Sequence, residues 1–368
     1  MKSSISSMPW RLLGSSKMVM KEMDISTRLE WALTKSFPGV LPGRGNDCSA
    51  TPTSKKVMLV SPKKTKIHPV KMAFLIFGLA VGLSLLWASQ THASYYTFPS
   101  PLTLCGEPVP LGDRRVWERM DREFMLHVYE HGQIYLWLKR SKRYFPYIEG
   151  RLKEKGMPDD LKYLLVAESS LLPRAMSNKG AAGFWQFIER TGKRFSLQKK
   201  TWIDERFDLV KSTEAAINYL KMLYDQFGKW TLAMAAYNCG EDRVKEEINQ
   251  QGENDYYRLA LPQETERYIF RILAAKILLS DPKRYGLDLP EKEIYLPIET
   301  DQVTLQLPYS VPLKDIAKAC GSYFREIKEL NPEIQGYTLP AGVHQIKIPA
   351  GKKSLLEKQI KDWLKTTP

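Results

Sequence analysis

The sequence predicts a mainly α-helical protein that ends in a small module of mixed helices and strands. From about residue 113 to 285, apolar residues recur at helical spacing, and Gly, Pro or Asn stands at the breaks. No alternating stretch of strand length stands out in that region. After about residue 295 the pattern changes, because residues 303–307 and 344–348 alternate apolar and polar side chains as half-buried strands do.

Eight segments of the first region have the periodicity of amphipathic helices. The third has a favourable start, because residues 157–160 place a proline in the first turn and two acids near the positive end of the helix dipole. The predicted spans are 114–130, 132–155, 159–171, 185–194, 211–227, 229–238, 240–250 and 263–280.

The second region predicts a β-α-α-β module. Between its two strands lie short amphipathic segments at 313–320 and 323–330, and Asn331-Pro332 closes the second of them. Residues 352–365 predict a charged helix at the end of the chain.

The charge of the chain is concentrated near its start. The 368 residues carry a formal charge of +14, which at first suggests nucleic-acid binding. Residues 1–72 hold 13 Lys and Arg against 4 Asp and Glu, and the rest of the chain holds 42 against 37. The later part is therefore only mildly basic. Such a surface suits many anionic polymers, including a cell wall, and does not indicate nucleic acid as the partner.

An apolar run at 72–88 follows a lysine-rich stretch and precedes small, polar residues. This order is typical of a secretory signal, with cleavage after Ala93. A retained membrane anchor is the alternative, because the 17 apolar residues are at the lower limit for a spanning helix. Either interpretation predicts that everything after residue 94 lies in the periplasm or cell envelope. The polar residues 1–57 are predicted to be disordered, or to precede a true start at Met58.

The cysteines and histidines indicate neither a metal site nor a cofactor. Cys48, Cys105, Cys239 and Cys320 are scattered without a CxxC pair, and the five histidines form no cluster. A single Cys105–Cys320 or Cys105–Cys239 disulfide remains open at this stage.

Glu168 lies at an unusual position for a charged residue. Leu161, Leu164 and Leu165 stand at i, i+3 and i+4 of the third helix, and Glu168 follows at i+7 on the same face. Burial disfavours the ionised form of a carboxyl group and raises its pKa, as a general acid requires. The alternative is a structural acid at the rim of the apolar face, bonded to a buried arginine.

Three further motifs follow Glu168 along the chain. Residues 180–187 form a glycine-punctuated entry to a helix, and an amide beside an indole suits a sugar's hydroxyls and apolar face. Residues 235–240 end a helix with adjacent Tyr and Asn before Gly240. Residues 261–268 start another helix with a proline and acids. Each motif alone is also compatible with a turn or with core packing.

Together the four motifs resemble the lytic transglycosylases of the SLT family. Their order matches: Glu168-Ser169, then Gly183 to Gln186, Ala236 to Gly240, and Glu264 to Tyr268. The Trp before Gln186 and the segment 143–152 look like the membrane-bound transglycosylase D branch. The resemblance covers about residues 110–285, close to half of the chain.

The resemblance implies a lysozyme-like fold and an enzyme that acts on peptidoglycan without a cofactor. Such enzymes cleave the β-1,4 bond between N-acetylmuramic acid and N-acetylglucosamine. Glu168 would be the sole acid and base, and the C6 hydroxyl of the sugar would close a 1,6-anhydro ring. Glu189, Glu205 and Asp208 are interpreted as surface or helix-capping acids, and Glu264 as a structural acid.

Carried over onto this sequence, the resemblance also implies which residues line the cleft. Ser169 and Gln186 are expected to hydrogen-bond the substrate or the catalytic carboxyl group. Tyr237 and Asn238 are expected to hold the −1 sugar and its acetamido group. The remaining substrate-binding candidates are Gly183, Tyr268 and Trp185, of which Trp185 either stacks on a sugar or supports its helix.

Residues 303–350 resemble a LysM module through Asp315, Ile327, Leu330-Asn331-Pro332, Leu339-Pro340 and Ile346 to Pro349. LysM modules bind glycans that contain N-acetylglucosamine. Residues 307–312 depart from the Gly-Asp-Thr stretch of the family. A degenerate packing module is therefore the alternative to a glycan-binding one.

The predicted organisation has five parts: an extension at 1–57, a signal or anchor at 58–94, a catalytic domain at 95–285, a LysM-like module at 296–350 and a charged helix at 351–368. Two other functions remain open. One is a hydrolytic muramidase on the same fold, and the other is a non-catalytic peptidoglycan-binding protein.

Overall fold

The computed structural model of this chain describes residues 96–366, together with Phe74, Phe77 and Gly78. The chain divides into two units, Met1–Leu85 and Leu86–Pro368. The predicted extension and the signal or anchor, apart from those three residues, lie outside the described part. Among the described residues, no helix is both long enough and apolar enough to span a membrane.

The region after residue 95 is mainly helical, as predicted. Its eight α-helices are α1 (Arg114–Val128), α2 (His131–Glu154), α3 (Lys162–Ser169), α4 (Glu189–Arg194), α5 (Leu209–Phe227), α6 (Trp230–Cys239), α7 (Glu241–Gln251) and α8 (Gln263–Ser280). Two short hairpins accompany them, β1 (Thr103–Leu104) with β2 (Glu107–Pro108), and β3 (Lys199–Lys200) with β4 (Ile203–Asp204).

Two of the predicted helix spans are too long. The span 159–171 consists of a 3₁₀ turn, Asp159–Leu161, followed by α3, which ends at Ser169 because Ser170 and Leu171 have positive φ angles of 52° and 58°. The span 185–194 becomes helical only at Glu189. Gln186 has a φ of 48°, so the chain there forms a closed loop instead of a helical turn.

Helix α8 lies at the centre of the helical core. It packs against α1, α3 and α6, and residues around most of its circumference are buried. Glu264 and Glu266 occupy its first turn, where carboxylates interact favourably with the positive end of the helix dipole. The observed bounds of α8 equal the predicted ones, because the start signal and the apolar periodicity are both local to the segment.

Helix α6 has its N-terminus capped by a distant residue. Lys229, at the N-cap position, makes no side-chain cap. The carboxylate of Glu107 instead accepts hydrogen bonds from the backbone N–H of Trp230, from that of Thr231 at 3.1 Å and from the Thr231 hydroxyl at 3.0 Å. The β1–β2 hairpin therefore supplies the acceptor that the helix itself lacks.

We expect Glu107→Ala to lower the free energy of unfolding by about 1–2 kcal/mol, because partly buried N–H groups at the start of α6 lose their acceptor. Glu107→Gln keeps one carbonyl oxygen and should lose less. Urea unfolding at constant pH measures both values. Equal stability of wild type and Glu107→Ala would contradict the capping role.

The module at the end of the chain has the predicted β-α-α-β order. Strand β5 (Thr300–Leu307) pairs antiparallel with β8 (Gly342–Pro349), with Thr300 opposite Pro349 and Leu307 opposite Gly342. Between them lie α9 (Leu313–Ala319) and α10 (Phe324–Leu330), flanked by the short pair β6 (Val311–Pro312) and β7 (Thr338–Leu339), and α11 (Lys353–Thr366) follows.

Alternation along β5 and β8 builds a small separate core. Val303, Leu305 and Leu307 from β5 are buried together with Ile346 and Ile348 from β8. Apolar residues of α9 and α10 cover this face of the strand pair. The described chain is thus mainly helical with a small α+β module, as predicted. Cys105, Cys239 and Cys320 are free thiols, so neither of the two open disulfides forms.

Candidate active site

Glu168 lies in the last turn of α3, at the predicted position. Leu161, Leu164 and Leu165, on the same helix face, are fully buried in the core. Glu168 itself is only half-buried. The apolar face of α3 therefore carries the carboxyl group to the edge of the core, where one side remains open to solvent.

The surroundings of Glu168 hold its pKa near neutrality. Burial raises the pKa of this carboxyl group from 4.5 to about 7. The hydrogen bond from Tyr268 and the positive charge of Arg271 lower it, whereas the negative charge of Glu264 raises it. Such a group is present in both protonation states near neutral pH, which suits a residue that first donates and then accepts a proton.

Tyr268 provides the hydrogen bond to the carboxyl group. Its hydroxyl donates to Oε1 of Glu168 from the second turn of α8, 100 residues further along the chain. The Tyr268 side chain is only 1% exposed. Tyr268 therefore orients Glu168 from within the core, and its expected contact with substrate stays a prediction.

The alternative interpretation of Glu168, a structural acid bonded to a buried arginine, does not describe this site. Arg271 donates a hydrogen bond of 3.0 Å to the backbone carbonyl of Ala167. Within the described part of the chain, the side chain bonded to the Glu168 carboxylate is that of Tyr268. Arg271 acts on Glu168 through its charge alone.

Tyr237 and Asn238 lie at the C-terminal end of α6, and both are half-buried. The Tyr237 hydroxyl donates to the carbonyl of Trp185 at 2.7 Å. Burial raises the pKa of Tyr237 well above 10, and the charge of Glu168 acts in the same direction, so the phenol stays protonated. Asn238 accepts a hydrogen bond of 2.7 Å from the Thr265 hydroxyl, which ties its amide to the start of α8.

Gln186 belongs to a closed loop, residues 175–187, called the Gln186 loop below. Its amide nitrogen donates to the carbonyls of Gly183 at 2.7 Å and Ala175 at 3.2 Å. The hydroxyl of Ser169, which is buried, donates to Leu165 O at 3.1 Å. Among the described residues, no hydrogen bond joins Gln186 or Ser169 to Glu168, and their contact with substrate stays a prediction.

Trp185 and Gly183 are both buried, and their contact with substrate stays a prediction. Trp185 is 0% exposed, and its indole N–H donates to the Thr213 hydroxyl at 3.0 Å, so it supports the loop from within the core. Gly183 has a φ of 79°, and a Cβ atom there would lie 1.9 Å from the carbonyl oxygen of Arg206. Gly183 therefore permits the close approach of two backbone segments.

Arg206 organises the Gln186 loop and was not predicted. It is 3% exposed and donates to both carboxylate oxygens of Asp204, at 2.9 and 2.7 Å. It also donates to the carbonyls of Gly180 at 2.8 Å and Phe187 at 2.9 Å. The two loop carbonyls lie 26 and 19 residues away in sequence, so no local pattern around Arg206 indicates this role.

The other acids singled out in the sequence make contacts of their own. Glu189 forms surface ion pairs of 2.7 Å with Lys193 and Lys199, and Asp208 caps α5, as predicted. Glu205 is buried instead of exposed and accepts a hydrogen bond of 2.8 Å from the Gln198 backbone. Glu264 is exposed in the first turn of α8. Among the described residues, no group of three or more His, Cys, Asp or Glu could hold a metal ion.

Two regions of the chain match known families. Residues 146–259 match the model of the transglycosylase SLT domain. Residues 299–362 match the model of the LysM-like domain of the lytic transglycosylase MltD. The resemblance that the motifs predicted is confirmed for both regions.

The chain is 36% identical over 216 residues to the membrane-bound lytic murein transglycosylase D of Escherichia coli strain K12, and equally to that of strain O6:H1. The match covers 57% of this chain and 47% of each relative, so the chain spans about half the length of these curated relatives. The crystal structure of the 70 kDa soluble lytic transglycosylase of E. coli is 22% identical, with a TM-score of 0.29, over 38% of this chain and 24% of that chain.

Proposed function

Because the chain combines an SLT domain with an MltD-type LysM-like domain, we propose that it is a peptidoglycan lytic transglycosylase. The bond cleaved is the β-1,4 bond between N-acetylmuramic acid and N-acetylglucosamine, and the product carries a 1,6-anhydromuramoyl end. The observation that supports this most directly is the environment of Glu168, a half-buried carboxyl group with a pKa of about 7.

In the first step, Glu168 acts as general acid. Its protonated carboxyl group gives a proton to the glycosidic oxygen as the bond to C1 of the muramic acid breaks. Positive charge then develops at C1 and the ring oxygen, while Glu168 becomes a carboxylate. The raised pKa keeps a large fraction of Glu168 protonated near neutral pH, so the group is ready to donate.

In the second step, the same residue acts as base. The C6 hydroxyl of the muramic acid attacks C1 and its proton passes to the Glu168 carboxylate, which restores the starting state. No water is consumed and no second carboxylate is needed. An intramolecular hydroxyl has a high effective concentration, which replaces the nucleophile that ordinary glycosidases supply from the protein.

Neighbouring residues hold the reacting groups in place. Tyr268 orients the carboxyl group through its hydrogen bond. Tyr237 and Asn238, half-buried at the end of α6, are proposed to hold the −1 sugar and its acetamido group. Gln186 and Ser169 are proposed to complete the cleft. The expected partner is a peptidoglycan glycan strand in the cell envelope, with attachment to the membrane through residues 72–88 as a further proposal.

A hydrolytic muramidase is the second candidate, and the charge of Glu264 acting on Glu168 is the observation that favours it. Hydrolysis with two acids requires a second carboxylate about 5–9.5 Å from the first. Under the lytic mechanism Glu264 only modifies the pKa of Glu168.

We expect Glu264→Gln to keep activity within about tenfold of wild type, whereas loss of a second catalytic carboxylate would reduce it by about 10²-fold or more. Removing the Glu264 charge lowers the pKa of Glu168, because that charge raises it. The decline of activity at alkaline pH should therefore move to lower pH. A pH–rate profile of both proteins measures this, and collapse of activity at every pH would favour the muramidase.

The direct test of the proposed function is digestion of purified sacculi followed by mass spectrometry of the released fragments. Lytic cleavage yields 1,6-anhydro ends, which lack the mass of one water relative to hydrolysed, reducing ends. Reducing ends as the product would replace the proposal by the muramidase. Binding of sacculi without any released fragment would identify a non-catalytic binding protein.

A further inference from the structure

The LysM-like module is joined to the helical domain by backbone pairing. The N–H of Asp204 donates to the carbonyl of Glu333 at 2.8 Å, and the N–H of Gln335 donates to the carbonyl of Trp202 at 2.7 Å. Residues Ile203 and Ile334 form an antiparallel bridge between these two bonds. The β3–β4 hairpin and the module thus share a short strand pair, which fixes both distance and register.

A buried ion pair lies beside this strand pair. Lys347 of β8 reaches Asp208, the N-cap of α5, at 2.9 Å and Glu333 at 3.7 Å. Asp208 and Glu333 are 7% and 6% exposed. Burial raises the pKa of Glu333, and the charge of Asp208 acts in the same direction. Lys347 therefore binds both buried carboxyl groups, and its loss would remove the cation that they share.

A second contact joins the module to the other end of the Gln186 loop. The exposed side chain of Arg174 donates to the carbonyl of Lys328 in α10. The next residue, Ala175, accepts hydrogen bonds from the Gly183 N–H at 2.9 Å and from the Gln186 amide at 3.2 Å. A shift of Arg174 would therefore move the neighbouring carbonyl of Ala175, which accepts the hydrogen bond of the Gln186 amide.

The strand pair is also connected to the Gln186 loop, by a route that does not involve Arg174. Asp204, whose backbone pairs with the module, binds Arg206 through both carboxylate oxygens. Arg206 in turn donates to the carbonyls of Gly180 and Phe187, near the tip and at the end of the Gln186 loop. The bonds of Arg206 to Asp204 and Phe187 are buried, and the bond to Gly180 is partly buried, so the route consists of geometrically specific hydrogen bonds.

From these two routes we infer that the LysM-like module is a positioning element of the active site, which holds the Gln186 loop in place through Arg174 on one side and through Asp204 and Arg206 on the other. This inference rests on the proposed function for its catalytic consequence. It assigns the module a role in the turnover rate, separate from any affinity of the module for glycan.

Kinetics can distinguish an effect of the module on the turnover rate from an effect on the affinity for glycan. A module that only tethers the enzyme to its polymer changes KM when it is disturbed, because it acts on substrate concentration at the site. A module that positions the Gln186 loop changes kcat, because it acts on the geometry of the bound state.

The test uses four variants of the full chain. Lys347→Gln removes the cation shared by Asp208 and Glu333, and Lys347→Arg restores it. Arg174→Ala removes the second contact at an exposed site, so its effect on global stability should be small. Tyr337→Ala is the matched control, because this side chain is 77% exposed and its ring stacks on Phe324 within the module. Hydrogen exchange of peptides covering 175–187 is measured beside kcat and KM on soluble, uncrosslinked glycan strands.

We expect faster exchange in the Gln186 loop of Lys347→Gln and Arg174→Ala, with exchange in α8 unchanged. Their kcat should fall roughly three- to thirtyfold at constant KM, the range that mutations along a coupling route produce. Lys347→Arg should recover wild-type values, and Tyr337→Ala should match wild type throughout.

Unchanged exchange in the Gln186 loop together with unchanged kcat would overturn the inference, as would a change in KM alone. If Lys347→Gln unfolds globally, Arg174→Ala decides the result. The exchange measurement needs no substrate. If the wild-type protein cleaves no glycan, the proposed function is refuted. Hydrogen exchange would still show whether the module positions the Gln186 loop.

Discussion

Replacing Glu168 with glutamine is expected to reduce the rate of glycan cleavage by about 10²–10⁴-fold, the usual contribution of a positioned acid and base. The amide has nearly the shape of the carboxyl group, and its oxygen can still accept the hydrogen bond of Tyr268. The variant therefore removes the exchangeable proton and little else. Initial rates of release from purified sacculi, at pH 6 and enzyme concentrations matched by absorbance, measure the loss.

The same variant should be more stable than wild type at alkaline pH, which separates loss of chemistry from loss of fold. The folded-state pKa of about 7 lies above the ordinary value of 4.5, so between these values the folded protein binds more protons than the unfolded chain. The contribution of Glu168 to the stability of the wild type is therefore greatest below pH 4.5 and is lost as pH rises through about 7. The difference amounts to roughly 3 kcal/mol at most.

Glutamine does not titrate, so the stability of Glu168→Gln does not fall with pH for this reason. Its free energy of unfolding should exceed that of the wild type at pH 8, and the two should converge near pH 4. Denaturant unfolding at both pH values measures the comparison, in which the other titrating groups cancel. Full activity of Glu168→Gln would refute the catalytic assignment, whereas a stability difference that is independent of pH would show a solvated carboxyl group.

Gly183→Ala is expected to lower the free energy of unfolding by about 3–5 kcal/mol. Two effects add. A residue with a Cβ atom is strained at a φ of 79°, and that atom would lie 1.9 Å from the carbonyl oxygen of Arg206. The obstacle is backbone, so it cannot rotate away, and either the Gln186 loop or the turn at Arg206 must move.

Gly180→Ala is the matched control for this prediction. Gly180 belongs to the same loop and has a φ of 77°, but nothing lies within 4 Å of the place its Cβ would take. It should lose only the conformational contribution, about 1–2 kcal/mol. Urea midpoints of the three proteins give the comparison. Equal losses for the two alanine variants would show that the close approach to Arg206 contributes nothing.

Local periodicity was sufficient to place the helices and Glu168. The spacing of Leu161, Leu164 and Leu165 predicted the buried face of α3, and the alternation along β5 and β8 predicted the small module. Both follow from side-chain directions that repeat every 3.6 or 2 residues, so they are encoded within a few neighbouring positions. The raised pKa of Glu168 follows from the same pattern, because a carboxyl group on an apolar face is desolvated.

Ends of helices were predicted less well where the backbone leaves the common φ region. Gln186 and Ser170 have positive φ without being glycine, and each shortens a helix that periodicity alone continues. Tertiary contacts hold these residues in that conformation, such as the hydrogen bonds of the Gln186 amide to Ala175 and Gly183.

By itself, then, the sequence determined the helical class, the β-α-α-β module and the carboxyl group on the leucine face. Only the tertiary structure decided which side chains surround that group: Tyr268 bonds it from 100 residues away, Trp185 is buried, and Arg206 holds the loop. The physical reason is the distance along the chain over which each kind of interaction acts. Helical and strand patterns arise between near neighbours, whereas a hydrogen bond across the core depends on how whole helices pack, which no short motif records.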